Sequence, residues 1–250
     1  MRIIVNADDL GMSESVNEAI FHGMQRGTIT SATLLSNGAA VQVAARKLRL
    51  FPNCSFGVHL NLTEYSPLCP GSLTDLAMIL DANQCFNGNS IREIGISLSM
   101  LQAIFREWCC QIETLIGLGV EPSHLDGHHH VHTIPQLLPV LTTIRRRYKI
   151  NKVRISRNMY DDTERPSNLL LIKKRLFNSA LRIAGFQTTR LFTDLRTFVK
   201  LCSARPPRLA TVELMTHPGS VPPDDEEILL ESDWTERLSY KAALVSYANL

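Results

Sequence analysis

Hydrophobic and polar residues follow two different periods along the chain. Short runs rich in β-branched residues, with apolar positions adjacent or at every second residue, predict strands. Between these runs, apolar residues recur every three to four positions, which predicts helices. Up to eight runs are predicted as strands, and they occupy residues 2–6, 30–36, 56–62, 123–126, 152–156, 190–193, 211–216 and 243–247.

Several stretches between the predicted strands are predicted as helices. The first follows Asp9, with Ser15 and Glu18 at the spacing of a capping box and Gly27 as its stop. The others cover residues 39–50, 91–118, a stretch that starts near Pro135, and residues 169–184. Strands that alternate with helices predict a mostly parallel sheet. We therefore expect an α/β fold: a single (β/α) barrel-like domain over residues 1–250, TIM-barrel-like and irregular or incompletely closed, with an active site at the carboxyl ends of the strands.

Composition excludes several classes of protein. Hydrophobic residues make up 44% of the 250 residues and charged residues 20%, as in a globular protein, and the net charge of +2 excludes a dedicated nucleic-acid binder. The apolar run at the start is too short for a signal peptide, and no run of about 18 apolar residues could span a membrane. Six cysteines without a CxxC pair predict free thiols in a reducing compartment. We expect a cytoplasmic protein that binds neither nucleic acid nor membrane.

Histidine is the residue type whose distribution departs from this ordinary composition. The chain has eight histidines, and five of them fall between residues 124 and 132: His124, His128, His129, His130 and His132. No low-complexity sequence surrounds them, so a solvated histidine run is a weaker interpretation than a functional site. One ion cannot bind all of them, and the outer ones are expected to support the ligands.

Polar residues near the ends of three other predicted strands complete the pattern. Asp8 and Asp9 follow the first strand, His59 lies in the third, and His217 follows the seventh. Taken singly, the aspartates could cap a helix, His59 could be a buried hydrogen-bonding residue, and His217 could belong to a loop. Together, one carboxylate and two imidazoles from different strands make a three-ligand metal site with room for water. A second carboxylate and a further histidine could then move protons, which predicts metal-assisted hydrolysis of an amide, an ester or a phosphoester.

Four strings of the sequence carry a resemblance to a known family: NADDLGMSESVNEAI, GVHLNLTE, HLDGHHHVH and MTHPG. They occur in order between residue 2 and about residue 220, and they resemble the YdjC-like carbohydrate deacetylases, a family that includes chitooligosaccharide deacetylases. The resemblance implies a barrel-shaped metal enzyme that removes acetyl groups from a small N-acetylated sugar or chitooligosaccharide. It implies Asp9, His59 and His128 as metal ligands. By likeness to the wider polysaccharide-deacetylase group, Asp8 would be the general base and His217 the general acid.

The same resemblance implies further roles. Arg154 matches a position that holds Asp8 or contacts the sugar, and residues 63–90 lie where a substrate-covering insertion is expected. The remaining candidates, expected to contact substrate or to support the metal ligands, are Asn61, Asp126, His130 and His132. After His217 the chain departs from the family pattern, so the closing element of the barrel is expected to be short.

The cofactor and partners follow from the same comparison. The resemblance implies one divalent ion, Mg²⁺, whereas two imidazoles and one carboxylate suit Zn²⁺, Mn²⁺ or Co²⁺ better. The expected partner is a small N-acetylated carbohydrate, and the expected oligomer is a homodimer. Two alternatives stay open: a barrel metallohydrolase that acts on a cyclic amide or phosphoester, and a non-catalytic relative that binds a metal or a sugar.

Overall fold

A curved parallel sheet forms the centre of the molecule. The computed structural model describes residues 1–207, 211–219 and 224–250. Its strands are β1 (Arg2–Leu10), β2 (Ser31–Leu34), β3 (Ser55–Leu60), β4 (Leu125–Gly127), β5 (Leu191–Asp194), β6 (Thr211–Thr216) and β7 (Ala243–Leu244). They pair in the order β4-β3-β2-β1-β6-β5, with β7 also paired to β1, and every pairing is parallel.

Helices connect and surround these strands, as parallel pairing requires. They are α1 (Glu14–Gln25), α2 (Val41–Lys47), α3 (Leu73–Leu76), α4 (Leu98–Gly117), α5 (Leu138–Tyr148), α6 (Asn168–Ile183), α7 (Leu195–Cys202) and α8 (Asp225–Glu231). The sheet curls into an incomplete barrel, so the expected α/β barrel-like fold is confirmed.

The barrel is least regular between β4 and β5. Residues 152–156, predicted as a strand, form isolated bridges there instead: Val153 pairs with Leu125 of β4, and Lys152 pairs with Gln187 shortly before β5. These bridges span the gap at two points without a continuous ladder. The expectation of an irregular, incompletely closed barrel is thereby met.

The first helix begins earlier than the capping-box prediction places it. Ser13, not Ser15, is the N-cap, because Ser13 has an extended backbone and its Oγ accepts the Val16 amide at 3.2 Å. The prediction of Ser15 and Glu18 as the capping box is therefore wrong. Gly27 does end this segment, and its φ of +74° is the left-handed conformation that favours glycine.

β1 is longer than predicted, and its extension matters for the site. The strand continues to Leu10, with a shift in its register against β2 between Ala7 and Leu10. Asp9, inside this irregular stretch, has a φ of 64°. A bulge of this kind changes the direction of the side chains around it. Asp8 and Asp9 therefore lie within the strand at a bulge, and not in a turn after it.

The C-terminal residues cover the opposite end of the barrel. The predicted strand 243–247 is ordered as a strand only at Ala243–Leu244. The chain then bonds to the starts of other strands: Tyr247 N donates to Ser31 Oγ at 3.1 Å, and Ala248 N donates to Ser55 Oγ at 2.8 Å. The short closing element expected from the sequence is a tail that covers the amino ends of β2 and β3.

Residues 63–90 leave the barrel after the carboxyl end of β3 and pack against α4. Leu76, Ile79 and Phe86 are buried, so this segment has apolar contacts of its own. The helix predicted over residues 91–118 begins only at Leu98, because Ser97 caps it by accepting the Met100 amide at 3.2 Å. A role of residues 63–90 in covering substrate stays a prediction.

Candidate active site

The five principal residues chosen from the sequence lie at one edge of the sheet. Asp8 and Asp9 lie in the bulge of β1, His59 near the end of β3, His128 just after β4 and His217 just after β6. Because the strands are parallel, their carboxyl ends meet at the same edge. The structure therefore brings these side chains together from four separate strands.

Asp9, His59 and His128 converge on one point. Asp9 Oδ1 lies 3.2 Å from His59 Nε2 and 2.8 Å from His128 Nδ1. One ligand atom of each residue lies within 4.8 Å of the other two. Asp9 Oδ1 is buried, yet it forms no hydrogen bond to any described residue. One carboxylate oxygen and two imidazole nitrogens this close together fit the ligand set of a divalent cation.

His59 is held in place by two side chains behind it. Its Nδ1 lies 2.7 Å from Asp126 Oδ1 and 3.1 Å from Thr33 Oγ1, and Thr33 also donates to Asp126 Oδ2 at 3.0 Å. This arrangement fixes the ring and leaves Nε2 towards Asp9. Burial disfavours the charged ring, but Asp126 and Asp9 outweigh it and raise the pKa of His59 well above its usual value. The negative charges of Asp126 and Asp9 also favour binding of a metal cation next to His59.

Asp8 forms a buried ion pair with Arg154. The guanidinium contacts both carboxylate oxygens of Asp8 at 2.6 Å. Burial alone would raise the pKa of Asp8, but Arg154 outweighs it and holds that pKa well below its usual range. The contact between Arg154 and Asp8 is consistent with the first of the two roles expected for Arg154, which stays a prediction. The Arg154 side chain is fully buried, so no part of it is exposed to a ligand.

Two more carboxylates surround the same guanidinium. Arg154 Nε donates to Glu213 Oε1 at 2.7 Å, and Nη1 lies 3.0 Å from Asp126 Oδ2. Glu213 also accepts the hydroxyl of Tyr247 at 2.5 Å. Burial, opposed by Arg154, raises the pKa of Glu213 to about 7. A buried network therefore runs from the C-terminal tail to Asp8.

His217 lies on the other side of Asp8, facing a small cavity. Its Nε2 is 3.7 Å from Asp8 Oδ2, and its side chain is 47% exposed. The cavity measures about 190 Å³, and it is lined by Asp8, Asp9, Met12, Val16, His217, Pro218 and Gly219. A side chain at Gly219 would meet Val16 Cα at 2.8 Å, so the close approach of this loop requires glycine. The aspartates and His217 thus share one solvent-accessible space.

The remaining histidines of the cluster do not reach Asp9. His129 and His130 both have left-handed backbones, with φ of 48° and 57°, a strained conformation for residues with a Cβ. The His130 ring packs edge-on against Phe192, and burial together with Arg154 lowers its pKa to about 3. His132 is buried, and neither ring nitrogen has a hydrogen-bond partner among the described residues. These rings are therefore neutral neighbours of the site.

Asn61 shapes the loop that follows β3. Its Oδ1 accepts the amides of Thr63 at 2.9 Å and Glu64 at 3.2 Å, and its Nδ2 donates to the Glu64 carbonyl at 2.6 Å. The side chain is fully buried, and these contacts use both of its polar atoms. The structure therefore places Asn61 in the support of this loop.

Sequence reasoning missed three residues of this constellation. Glu64 lies beside His128, Glu213 beside Arg154, and Tyr247 beside Glu213. Two of them left a signal: Glu64 ends the string GVHLNLTE, and Glu213 is a lone charge within the strand TVELMT. Tyr247 gave none, because its contact depends on the path of the tail.

Comparisons with known proteins place the chain among similar sequences. A sequence model of the YdjC-like protein family matches residues 2–243. A carbohydrate deacetylase of Halalkalibacterium halodurans is 31% identical over 240 residues, which cover 94% of this chain and 91% of that protein. A second carbohydrate deacetylase, of Brevibacillus brevis, is 29% identical over 252 residues, which cover 100% of this chain and 93% of that protein. A third, of Geobacillus stearothermophilus, is 36% identical over 147 residues, and this match spans 59% of the chain and 57% of that protein's length.

A solved structure supports the fold, and the sequence matches establish the family. A crystal structure from Enterococcus faecalis V583, of a candidate cellobiose-phosphate cleavage protein, superposes with a TM-score of 0.75 at 23% identity, over 99% of this chain and 98% of that one. No helix within residues 1–207, 211–219 and 224–250 is both long and apolar enough to cross a bilayer. The match over residues 2–243 and the full-length relatives together establish that the chain belongs to the YdjC-like protein family.

Proposed function

We propose that this chain is a hydrolytic carbohydrate deacetylase that uses one divalent metal ion to remove the N-acetyl group of a small N-acetylated sugar or chitooligosaccharide. The observation that carries the proposal is the convergence of Asp9 Oδ1, His59 Nε2 and His128 Nδ1 next to Asp8 and His217. The shared name of the relatives, carbohydrate deacetylase, supports the substrate class.

Asp9, His59 and His128 would hold the ion. A bound divalent ion supplies Lewis acidity, which polarises a carbonyl and lowers the pKa of water towards 7. Two imidazoles and one carboxylate suit Zn²⁺, Mn²⁺ or Co²⁺ better than Mg²⁺, which prefers oxygen ligands. We therefore expect one of these three ions to restore activity best.

Asp8 would accept the proton of the attacking water at Oδ2, the oxygen nearer to His217. Arg154 keeps Asp8 ionised throughout the neutral range, which is the state that a base requires. The same ion pair makes Asp8 a weak base, so its proton must pass on quickly. His217 Nε2 lies 3.7 Å from Asp8 Oδ2 and would take part in that transfer.

His217 would donate a proton to the departing amine. The C–N bond of the acetamide breaks, acetate leaves with the oxygen of water, and the sugar nitrogen leaves as an amine. On its far side, His217 Nδ1 lies 4.0 Å from Glu226 Oε2, so a carboxylate faces the ring from behind. Its partial exposure lets His217 exchange protons with solvent between turnovers.

Replacing the base tests this mechanism. We expect Asp8→Asn to reduce acetate release from N-acetylglucosamine oligomers by at least the 10²- to 10⁴-fold typical of a lost proton-transfer group, with metal content unchanged. Asp75→Asn is the matched control, because Asp75 also pairs with an arginine, Arg106 at 3.0 Å, but at the surface. Near-normal rates in Asp8→Asn would rule out Asp8 as the base. Release of phosphate or opening of a ring, without acetate, would favour another metallohydrolase activity.

A further inference from the structure

A carboxylate lies behind His128 on the side that faces away from Asp9. Glu64 Oε2 is 3.3 Å from His128 Nε2, while Nδ1 of the same ring is the atom near Asp9. His128 Nε2 is buried and has no hydrogen-bond partner in the described part of the chain. A neutral imidazole that binds a metal through Nδ1 carries its proton on Nε2. This buried N–H therefore needs an acceptor, and Glu64 is next to it.

His59 shows what such an acceptor does in this site. Asp126 Oδ1 lies 2.7 Å from His59 Nδ1, and the opposite nitrogen of that ring approaches Asp9. A carboxylate behind a metal-binding histidine fixes the orientation and the tautomer of the ring. His128 has the same arrangement with its two nitrogens exchanged: Nδ1 faces Asp9 and Nε2 faces Glu64.

We propose that Glu64 is a positioning residue for His128: when the metal site is filled, the Glu64 carboxylate accepts the Nε2–H hydrogen bond of His128 and holds Nδ1 towards the ion. The inference rests on the proposed function, because it takes His128 as a metal ligand. The Glu64 side chain is 43% exposed, so it has the freedom to turn and align the 3.3 Å contact.

The loop fixes the backbone of Glu64 and leaves its side chain free to turn. Both the amide and the carbonyl of Glu64 bond to the Asn61 side chain. Asn61 is tied in turn to Gln111 of α4: Asn61 N donates to Gln111 Oε1 at 2.9 Å, and Gln111 Nε2 donates to Asn61 O at 2.8 Å. The long helix α4 therefore determines where the Glu64 carboxylate can reach.

The other oxygen of Glu64 faces His129 at a longer distance. Glu64 Oε1 lies 3.9 Å from His129 Nε2, and Thr63 Oγ1 holds the opposite nitrogen of that ring at 3.0 Å. Glu64, His128 and His129 could thus bind a cation themselves, in a cluster that shares His128. The position of Glu64 behind the His128 ring favours support of that ring, and the experiment below separates the two roles.

Metal affinity is the direct test. Zn²⁺ binding to the full chain is measured by competition with a chromophoric chelator, for the unchanged protein, Glu64→Ala, Glu64→Gln and Glu121→Gln. We expect Glu64→Ala to weaken Zn²⁺ binding by about 10- to 100-fold, the usual effect of losing such a partner. Glu64→Gln keeps an acceptor oxygen and is expected to lose less. Glu121 is an exposed carboxylate shortly before β4, at the other end of the barrel, and its variant is expected to bind as the unchanged protein does.

The form of the bound ring gives a second readout. In the Zn²⁺-loaded protein, ¹⁵N NMR is expected to show His128 bound through Nδ1 and protonated at Nε2. Binding of Zn²⁺ by Glu64→Ala within twofold of the unchanged protein, coordination of His128 through Nε2, or direct ligation by Glu64 would each overturn the inference. Failure of the unchanged protein to bind one Zn²⁺ per chain would instead contradict the metal site of the proposed function.

Discussion

Gly57 of β3 makes room for a buried imidazole that is linked to the active site. A Cβ at this position would lie 2.7 Å from both Cε1 and the carbonyl oxygen of His124. The His124 ring cannot move aside easily, because it stacks on Tyr247 with the ring centroids 3.7 Å apart. Its Nε2 lies 3.0 Å from Asn6 Oδ1, and Asn6 Nδ2 donates to Asp8 Oδ1 at 3.0 Å. The absence of a side chain at residue 57 thus helps to place Asp8.

We expect Gly57→Ala to lower the free energy of unfolding by about 1–3 kcal/mol, the usual cost of overpacking a buried site. Urea denaturation followed by circular dichroism measures it. Gly95→Ala is the control, because a Cβ at residue 95 would meet nothing within 4 Å. Equal stability of the two variants would show that the His124 ring can move aside to accommodate a Cβ at residue 57.

The sequence predicted those site residues whose chemical type and position near the end of a strand can both be recognised along the chain. Asp9, His59 and His128 could be proposed because parallel strands bring their carboxyl ends to one edge. Glu213 stands out as a lone charge within a strand, but its pairing with Arg154, 59 residues away, could not be predicted because only the curvature of the sheet joins them. Glu64 was missed for a similar reason: which nitrogen of His128 faces it depends on the strained turn after β4.

The C-terminal tail is the element that periodicity predicted least well. It pairs with β1 only at Ala243–Leu244, and then bonds to serine side chains and to Lys152, contacts that leave no hydrophobic period. The helix α6 was predicted to within one residue at each end, because a long amphipathic pattern determines it, whereas α4 begins later than predicted. Tyr247 connects the tail to Glu213, so the tail takes part in the charge network of the site.

The charge of Glu213 predicts a pH dependence of stability. Burial raises its pKa from 4.5 to about 7 in the folded protein, so the folded state holds this proton more tightly than the unfolded state. The contribution of Glu213 to stability is therefore present below about pH 4.5 and is lost as the pH rises towards 7. We expect the contribution of Glu213 to the free energy of unfolding to fall by about 1–3 kcal/mol as the pH rises over this range.

Comparison with Glu213→Gln isolates this contribution. The free energy of unfolding of the unchanged protein, minus that of Glu213→Gln, is expected to fall between pH 5 and pH 8. A difference that stays constant over this range would mean that Glu213 does not titrate there. Thermal or urea unfolding at several pH values gives the comparison.

Taken as a whole, the molecule places a partly exposed cluster of negative charge at one end of a barrel whose other end the tail covers. The carboxylates of Asp8, Asp9, Glu64 and Asp126 lie around the site, and Arg154 balances only part of their charge. This arrangement favours a cation next to the cavity lined by Asp8, Asp9 and His217. The dimeric state and the cytoplasmic location stay predictions from the sequence.

Removal of the metal is the decisive experiment for a metal-dependent deacetylase. The protein is stripped with a chelator, and acetate release from N-acetylglucosamine and its oligomers is measured before and after addition of Mg²⁺, Zn²⁺, Mn²⁺ or Co²⁺. We predict that stripping abolishes acetate release and that one equivalent of Zn²⁺, Mn²⁺ or Co²⁺ per chain restores it. Undiminished acetate release from the metal-free protein would show that the metal is not required, and no release from these sugars after metal is restored would show that the protein is not a deacetylase of them.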